Sequence, residues 1–204
     1  MKKTNKFIYL ISPINIKNEL FYQNLEKVLK TRKVSFFQLR LKNEKPNKII
    51  LIGKKIKKIC NKYKVKLIIN DSAKLANKIK ADGCHLGQSD STVLSARKIL
   101  KNKIVGVTCH NSTKLIKKAM NDEVDYIALG SFYFTKTKKI KHKANIKLLK
   151  TAKKMTNIPI VAIGGIKFSN YKKLLLNKAN FLAISSYIWN NKKLMPYEAI
   201  LKLK

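Results

Sequence analysis

The chain has 204 residues, 45% of them hydrophobic, and its 46 Lys and Arg against 10 Asp and Glu give a formal net charge of +36. This length suits one domain over residues 1–204, near the lower limit for an eight-stranded α/β barrel. No apolar run approaches the roughly 20 residues that span a bilayer, and three cysteines without CxxC spacing argue against a disulfide framework and a zinc site.

Short apolar runs alternate along the chain with longer segments of helical period, which is typical of βα units and a parallel sheet. Strands are predicted at 7–11, 34–39, 66–70, 83–86, 104–108, 126–130, 158–163 and 181–186. Helices are predicted at about 20–29, 46–59, 73–79, 93–100, 115–120, 145–155 and 171–176, with one last helix towards the carboxyl end. Eight such units predict a closed α/β structure, a single (β/α)8 TIM barrel. A doubly wound open sheet is the alternative, although it more often has five or six strands.

Polar residues follow seven of the eight strands, and in a barrel all of them reach one rim, where barrel enzymes place their sites. In chain order they are Gln38, Arg40, Lys42, Asn70, Asp71, Gln88, Asp90, Thr108, His110, Thr135, Thr137, Lys138, Gly165, Ser185 and Ser186. Mg²⁺ takes one or two carboxylates from a protein and fills its other positions with water and substrate phosphates. Asp71 and Asp90 with nearby cations therefore predict a site for metal and phosphate.

Each of these residues also has a simpler explanation. Asp71 and Asp90 could cap turns or helices, and Arg40 and Lys42 could be ordinary surface charges. Gly164-Gly165 could serve only a turn. His85 lies within an apolar strand and is expected to be a hydrogen-bonded core histidine. The convergence of seven weak signals on one rim favours a functional site.

The positive charge also suggests nucleic-acid binding as a function, because lysines that neutralise phosphates gain affinity by counterion release. The basic residues are nearly all Lys and are spread along the whole chain, whereas dedicated nucleic-acid readers cluster their charge and rely on Arg forks. We expect small anionic substrates and no nucleic-acid or membrane partner, and a homo-oligomer is compatible with these expectations. No small-residue cleavage site follows the short apolar run at 7–11, so we expect no secretory signal. The odd number of cysteines without a disulfide pattern favours a reducing cytoplasm.

As an ordered set, several motifs resemble the thiamine-phosphate synthase family. They are Gln38-Leu39-Arg40-Leu41-Lys42, Ile69-Asn70-Asp71, the stretch 81–90, Gly106-Val107-Thr108-Cys109-His110, Thr135-Lys136-Thr137-Lys138 and Ala162-Ile163-Gly164-Gly165-Ile166. Members of that family are (β/α)8 barrels. They join 4-amino-2-methyl-5-(diphosphooxymethyl)pyrimidine to 4-methyl-5-(2-phosphooxyethyl)thiazole, giving thiamine phosphate and pyrophosphate.

The resemblance implies roles for individual residues. Asp71 and Asp90 would hold Mg²⁺, and the catalytic groups would be Arg40, Lys42, Thr108 and Lys138. The pyrimidine diphosphate would be bound by Gln38, Leu39, Arg40, Leu41, Lys42, Asn70, Thr108 and Lys138. The thiazole phosphate would be bound by Thr135, Lys136, Thr137, Gly165, Ile184, Ser185 and Ser186.

The expected route is dissociative, because the aminopyrimidine can stabilise a methylene cation while the protein stabilises departing pyrophosphate. Thr108 stands where the family usually has serine, but it keeps the hydroxyl group. The related thiazole tautomerase branch shares the barrel and tends to lose the diphosphate-binding set, which is present here. A tautomerase-like isomerase and a basic nucleic-acid-binding protein are the alternatives.

Overall fold

The computed structural model describes residues 6–135 and 142–203. Eight parallel strands form a closed barrel in which each strand pairs with the next and β8 pairs with β1. The strands are β1 Ile8–Ile11, β2 Val34–Leu39, β3 Lys66–Asn70, β4 Gly83–Leu86, β5 Ile104–His110, β6 Tyr126–Gly130, β7 Ile160–Ile163 and β8 Phe181–Ile184. The predicted (β/α)8 barrel is confirmed, and the open sheet is excluded.

Helices cover the outside of the barrel. Within the described residues they are α1 Glu19–Lys30, α2 Pro46–Lys62, α3 Ala73–Ile79, α4 Val93–Leu100, α5 Thr113–Asn121, α6 Ile146–Met155, α7 Tyr171–Leu176, α8 Ser186–Trp189 and α9 Pro196–Lys202. Four helices begin at a residue whose side chain accepts a backbone N–H of the first turn. These capping residues are Ser72, Thr92, Ser112 and Asn145. Across 6–135 and 142–203, no helix is long and apolar enough to cross a membrane.

The structure corrects several predicted boundaries. Strand β1 begins at Ile8 and β8 ends at Ile184, where 7 and 186 were predicted. Strand β5 continues to His110, beyond the predicted end at 108. Strand β7 begins at Ile160, after Pro159, which has no N–H to give to a ladder. The chain after β8 forms two short helices where one was predicted. Helix α8 is held by the Trp189 indole, which donates to the Ile11 carbonyl at 2.7 Å, and Pro196 then opens α9.

Alternation along the strands divides the apolar residues into two cores. In β1, Ile8 and Leu10 face the helices in the larger core, whereas Tyr9 and Ile11 face the barrel interior. The interior core is closed below the site by aromatic residues, among them Phe36 and Phe181, whose rings meet edge to face at 5.1 Å. Below the site, the barrel interior is therefore a packed core.

The amino-terminal rim of the barrel is tied by short polar side chains that precede β4, β6 and β8. Each accepts an N–H from the start of the preceding strand: Asp82 from Leu67 at 2.8 Å, Asp125 from Val105 at 2.7 Å, and Asn180 from Ile160 at 2.9 Å. These contacts satisfy backbone donors that would otherwise be left at the strand ends. They lie at the opposite end of the barrel from the residues predicted to carry chemistry.

Candidate active site

A cavity of about 570 Å³ opens at the carboxyl ends of the strands. Among its lining residues are the following predicted site residues: Gln38, Arg40, Lys42, Asn70, Asp71, Gln88, Asp90, Thr108, His110, Thr135, Gly165, Ile184, Ser185 and Ser186. Residues from seven strands therefore meet in one space, because parallel strands of a barrel all end at the same face.

Two leucines predicted to bind the pyrimidine diphosphate do not line the cavity. Leu39 and Leu41 are 1% and 4% exposed and belong to the core between the barrel and the helices. Gln38 and Arg40 occupy the alternate positions and line the cavity. The alternation of β2 thus separates the two sets. Lys136, Thr137 and Lys138, which were also predicted site residues, lie outside the described residues.

The carboxylates of Asp71 and Asp90 lie close enough to share a hydrogen bond. Asp71 follows β3 in a left-handed conformation with φ 64°, and its N–H donates to the His85 carbonyl at 2.8 Å. Asp90 turns back towards β4, where one carboxylate oxygen accepts the Gly87 N–H at 2.7 Å. Each acidic group is therefore aimed by its own backbone contacts.

The charges around this pair are unequal. Burial and the hydrogen bond and charge of Asp90 raise the pKa of Asp71, while Lys42, whose Nζ lies 3.4 Å from the carboxylate, opposes the rise. Carboxylate oxygens are the ligands that a hard divalent cation prefers. A cation between the two groups would also offset the effect of Asp90 on the charged form of Asp71. Over 6–135 and 142–203, no group of three or more His, Cys, Asp or Glu could hold a metal. A cation held here would depend on water and substrate oxygens for its other ligands.

Arg40 is positioned by a residue that the sequence reasoning missed. The Arg40 N–H donates to the Ser12 hydroxyl at 3.0 Å, and the Ser185 hydroxyl donates to the Ser12 carbonyl at 3.0 Å. Ser12 is only 3% exposed and follows β1. It therefore joins the ends of β1, β2 and β8, and no local pattern marks it, because one serine after a strand is unremarkable.

The end of β7 carries the loop that follows β6. The N–H groups of Phe132 and Tyr133 donate to the carbonyls of Ile163 and Gly164, both at 3.1 Å. Gly165 has φ 59°, and a Cβ there would collide with the Phe134 carbonyl. Glycine is thus needed at 165 for this close packing, which is a requirement additional to the predicted contact with phosphate.

Buried polar side chains form the floor of the cavity. A continuous row of hydrogen bonds crosses the barrel and links, in order, Gln38, Tyr9, Tyr126, His85 and Thr108. His85 is 8% exposed, and its two hydrogen bonds confirm the predicted core histidine. Burial lowers its pKa to about 4, with Arg40 acting in the same direction. Burial also raises the pKa of both tyrosines, so their hydroxyl groups remain protonated.

Comparisons with known proteins agree with one another. A family model described as thiamine monophosphate synthase matches residues 8–188. A thiamine-phosphate synthase of Pelagibacter ubique (strain HTCC1062) is 65% identical over 203 residues, covering 100% of this chain and 98% of the relative. One of Erythrobacter litoralis (strain HTCC2594) is 37% identical over 188 residues, covering 90% and 88%. The solved thiamine phosphate pyrophosphorylase from Pyrococcus furiosus superposes with a TM-score of 0.86, covering 98% of this chain and 94% of that one at 24% identity.

Proposed function

Because the chain belongs to the thiamine monophosphate synthase family and is a thiamine-phosphate synthase, we propose that its cavity transfers a pyrimidinylmethyl group with the help of Mg²⁺. The donor is 4-amino-2-methyl-5-(diphosphooxymethyl)pyrimidine, the acceptor is 4-methyl-5-(2-phosphooxyethyl)thiazole, and the products are thiamine phosphate and pyrophosphate. The cytoplasm is the proposed location, which three buried and unpaired cysteines support.

The observation that carries this proposal is the acidic pair beside two cations. Asp71 and Asp90 approach within hydrogen-bonding reach, with Lys42 at 3.4 Å from Asp71, and Arg40 lines the same space. Two carboxylates would repel a diphosphate unless a cation lay between them and the substrate. Mg²⁺ bound there would neutralise charge on the diphosphate and help pyrophosphate to leave.

The chain's own residues stabilise the leaving group. Arg40 and Lys42 supply positive charge, and Asn70 and Thr108 supply hydrogen-bonding groups on neighbouring strands. Lys138 is assigned to the same task by the family resemblance. Such fixed donors lower the barrier where negative charge develops, because they need no reorganisation during the reaction.

A second set of lining residues suits the thiazole phosphate. It consists of Thr135, Gly165, Ile184, Ser185 and Ser186. The Ser185 hydroxyl is already turned towards the Ser12 carbonyl, so Ser186 and backbone N–H groups are the proposed donors to phosphate. Holding both substrates in one space brings the thiazole nitrogen to the methylene carbon.

The route is dissociative and needs no general base. The aminopyrimidine stabilises a methylene cation as the bond to pyrophosphate breaks, and the thiazole nitrogen then attacks with its own lone pair. Both ring nitrogens of His85 already hold hydrogen bonds, to Tyr126 and Thr108. This histidine is therefore engaged in structure, and proton abstraction by it is not required.

A two-substrate assay tests the proposal. We expect pyrophosphate release only when both substrates and Mg²⁺ are present, and loss of turnover when a chelator removes the metal. Thiamine phosphate and pyrophosphate should form in equal amounts. Conversion of a thiazole carboxylate phosphate alone, without metal, would instead support the isomerase.

A further inference from the structure

The row of hydrogen bonds beneath the cavity joins its two ends. The Gln38 Nε2 atom lies 3.1 Å from the Tyr9 hydroxyl, which lies 2.7 Å from the Tyr126 hydroxyl. The Tyr126 hydroxyl lies 2.9 Å from His85 Nδ1, and His85 Nε2 lies 2.8 Å from the Thr108 hydroxyl. Four hydrogen bonds thus connect strands β1, β2, β4, β5 and β6. All five residues line the cavity, and Gln38 and Thr108 are the two ends of the row.

The number of hydrogens on each group determines which partner donates in each bond of the row. An amide nitrogen only donates, so Gln38 donates to Tyr9. The Tyr9 hydroxyl hydrogen is buried and needs an acceptor, and among the described residues the Tyr126 oxygen is the one at hydrogen-bonding distance that can take it. Tyr9 therefore donates to Tyr126, and Tyr126 uses its own hydrogen for His85 Nδ1. An Nδ1 atom that accepts has no hydrogen, so the ring is neutral and carries its hydrogen on Nε2.

The last bond then fixes Thr108. His85 Nε2 donates to the Thr108 oxygen, so the Thr108 hydroxyl hydrogen has to point elsewhere. Gln88 Nε2 also donates to the Thr108 backbone carbonyl at 2.5 Å, and this contact helps to hold the backbone of Thr108 in place. Since Thr108 lines the cavity, its hydroxyl hydrogen is available to an acceptor there.

We propose that Tyr9, Tyr126 and His85 are positioning residues. They make the Thr108 hydroxyl a hydrogen-bond donor, and the side-chain amide oxygen of Gln38 an acceptor, towards the bound pyrimidine diphosphate. This inference rests on the proposed function for the identity of the substrate. Thr108 then faces a phosphate oxygen, and Gln38 faces a ring substituent that has a hydrogen to give, such as the amino group.

The direction has a consequence for specificity. A pyrimidine with a carbonyl in place of the amino group would need the nitrogen of the Gln38 amide instead of its oxygen. Turning the amide would reverse every bond in the row and would leave Thr108 donating to His85 instead of to the substrate. Recognition of the ring and stabilisation of the leaving group are therefore coupled through the floor of the barrel.

Gly106 makes room for this arrangement. A Cβ at this position would collide with the Tyr126 ring. Tyr126 is 3% exposed, and its ring stacks on that of His85 at 5.6 Å between centroids. A residue larger than glycine at 106 would push the Tyr126 hydroxyl away from its partners.

Nitrogen NMR of the full chain, labelled with ¹⁵N-histidine, tests the direction without any turnover. The signals of the other two histidines are identified with His110→Gln and His142→Gln variants, which leaves the signals of His85. The expected result at neutral pH is a neutral ring with hydrogen on Nε2. A ring with hydrogen on Nδ1, or on both nitrogens, would overturn the inference.

Two tyrosine variants extend this test. In Tyr9→Phe, Tyr126 still has a hydrogen to donate, so His85 should keep its hydrogen on Nε2. In Tyr126→Phe, Nδ1 loses its donor, and both neutral forms of the ring should appear. An unchanged Nε2-H form in folded Tyr126→Phe would show that Tyr126 does not set the direction.

Steady-state kinetics of single and double variants test whether the row of hydrogen bonds affects catalysis through Thr108. We expect Thr108→Val to lower kcat by about 100-fold and Tyr126→Phe by about tenfold. Adding Tyr126→Phe to Thr108→Val should cause no further loss in kcat, because the group it positions is already absent. Tyr197→Phe, on α9, is the matched control and should leave kcat unchanged. Multiplicative losses in the double variant would overturn the proposal, whereas an inactive wild type with the expected His85 signals would contradict only the proposed function.

Discussion

The carboxylate of Asp71 lies within hydrogen-bonding reach of the carboxylate of Asp90, although the two residues follow different strands. Burial and this neighbour raise the pKa of Asp71, so the charged form of Asp71 is disfavoured in the protein without metal. Such an arrangement trades stability for function.

Asp71→Asn should therefore stabilise the metal-free protein while abolishing most activity. Asparagine tolerates the left-handed backbone at this position, and it removes one negative charge from the pair. Because the Asp71 side chain is 33% exposed and solvent screens its charge, the gain should be at most about 1 kcal/mol, or about 2 to 4 °C in Tm. Thermal unfolding with and without MgCl₂ measures this effect.

The same titration distinguishes a metal site from a simple ion pair. Mg²⁺ should raise the Tm of the wild type and should have no effect on Asp71→Asn, since only the wild type binds the ion. Asp122→Asn, which removes a surface partner of Lys118 on α5, should respond to Mg²⁺ like the wild type. Equal responses in all three proteins would show that Mg²⁺ does not bind between Asp71 and Asp90.

Ser12→Ala should weaken binding of the diphosphate substrate more than it slows the chemical step. It removes the hydroxyl that accepts the Arg40 N–H at 3.0 Å. Loss of this anchor should raise KM for the pyrimidine diphosphate about fivefold, which corresponds to about 1 kcal/mol. Steady-state kinetics with each substrate varied in turn measure it.

The control for this variant is Ser95→Ala, on the exposed side of α4, where the Thr92 hydroxyl donates to the Ser95 hydroxyl at 3.0 Å. It should leave both KM values unchanged. If Ser12→Ala raised only the KM for the thiazole, Ser12 would act through Ser185 and not through Arg40.

The fold was largely predictable because its signals are local and repeated. Strands at 34–39, 66–70, 83–86 and 126–130 have the predicted bounds, since each is a short apolar run between polar turns. The chain after β8 was not predictable in the same way. Helix α8 is held by a contact from Trp189 to Ile11, which joins residues far apart in the sequence.

The candidate site was predictable at its rim, but only in part at its floor, where Gln38, His85 and Thr108 were predicted and the two tyrosines were not. Polar residues at strand ends stand out from apolar strands, and parallel strands bring them together. Tyr9 and Tyr126 instead lie inside apolar runs, where an aromatic residue indicates only burial. Their hydroxyl groups lie 2.7 Å apart because barrel closure brings β1 opposite β6. The hydrophobic periodicity of the sequence does not predict which side chains meet across the barrel.

The excess of positive charge should make substrate binding sensitive to salt. With 46 basic and 10 acidic residues, the protein should attract the anionic substrates proposed above over distances of about 10 Å at about 0.1 M salt. Raising salt from about 0.05 to 0.3 M should lower kcat/KM several-fold and leave kcat within about twofold. A neutral osmolyte at matched osmolarity is the control, and an equal fall in kcat would contradict this explanation.

Asp82→Asn should lower stability without changing the kinetics of the folded enzyme. Burial alone would raise the pKa of Asp82, but the Lys57 ammonium at 2.6 Å and the Leu67 N–H at 2.8 Å outweigh it, and the pKa is lowered. The side chain is 18% exposed and lies at the amino-terminal rim, away from the cavity. Loss of its charge should cost about 1 to 3 kcal/mol.

The pH dependence of this contribution has a defined sign. The folded pKa of Asp82 lies below the unfolded value of about 3.9, so the unfolded chain binds the proton first as pH falls. The stabilisation is therefore complete above about pH 5 and is lost as pH falls through the folded pKa. Urea unfolding at pH 7 and at about pH 3 should show the difference between wild type and Asp82→Asn shrinking at the lower pH. Glu26→Gln, which removes an exposed partner of Lys62, should cost less than about 1 kcal/mol at either pH, and a difference for Asp82→Asn that grew on acidification would contradict the lowered pKa.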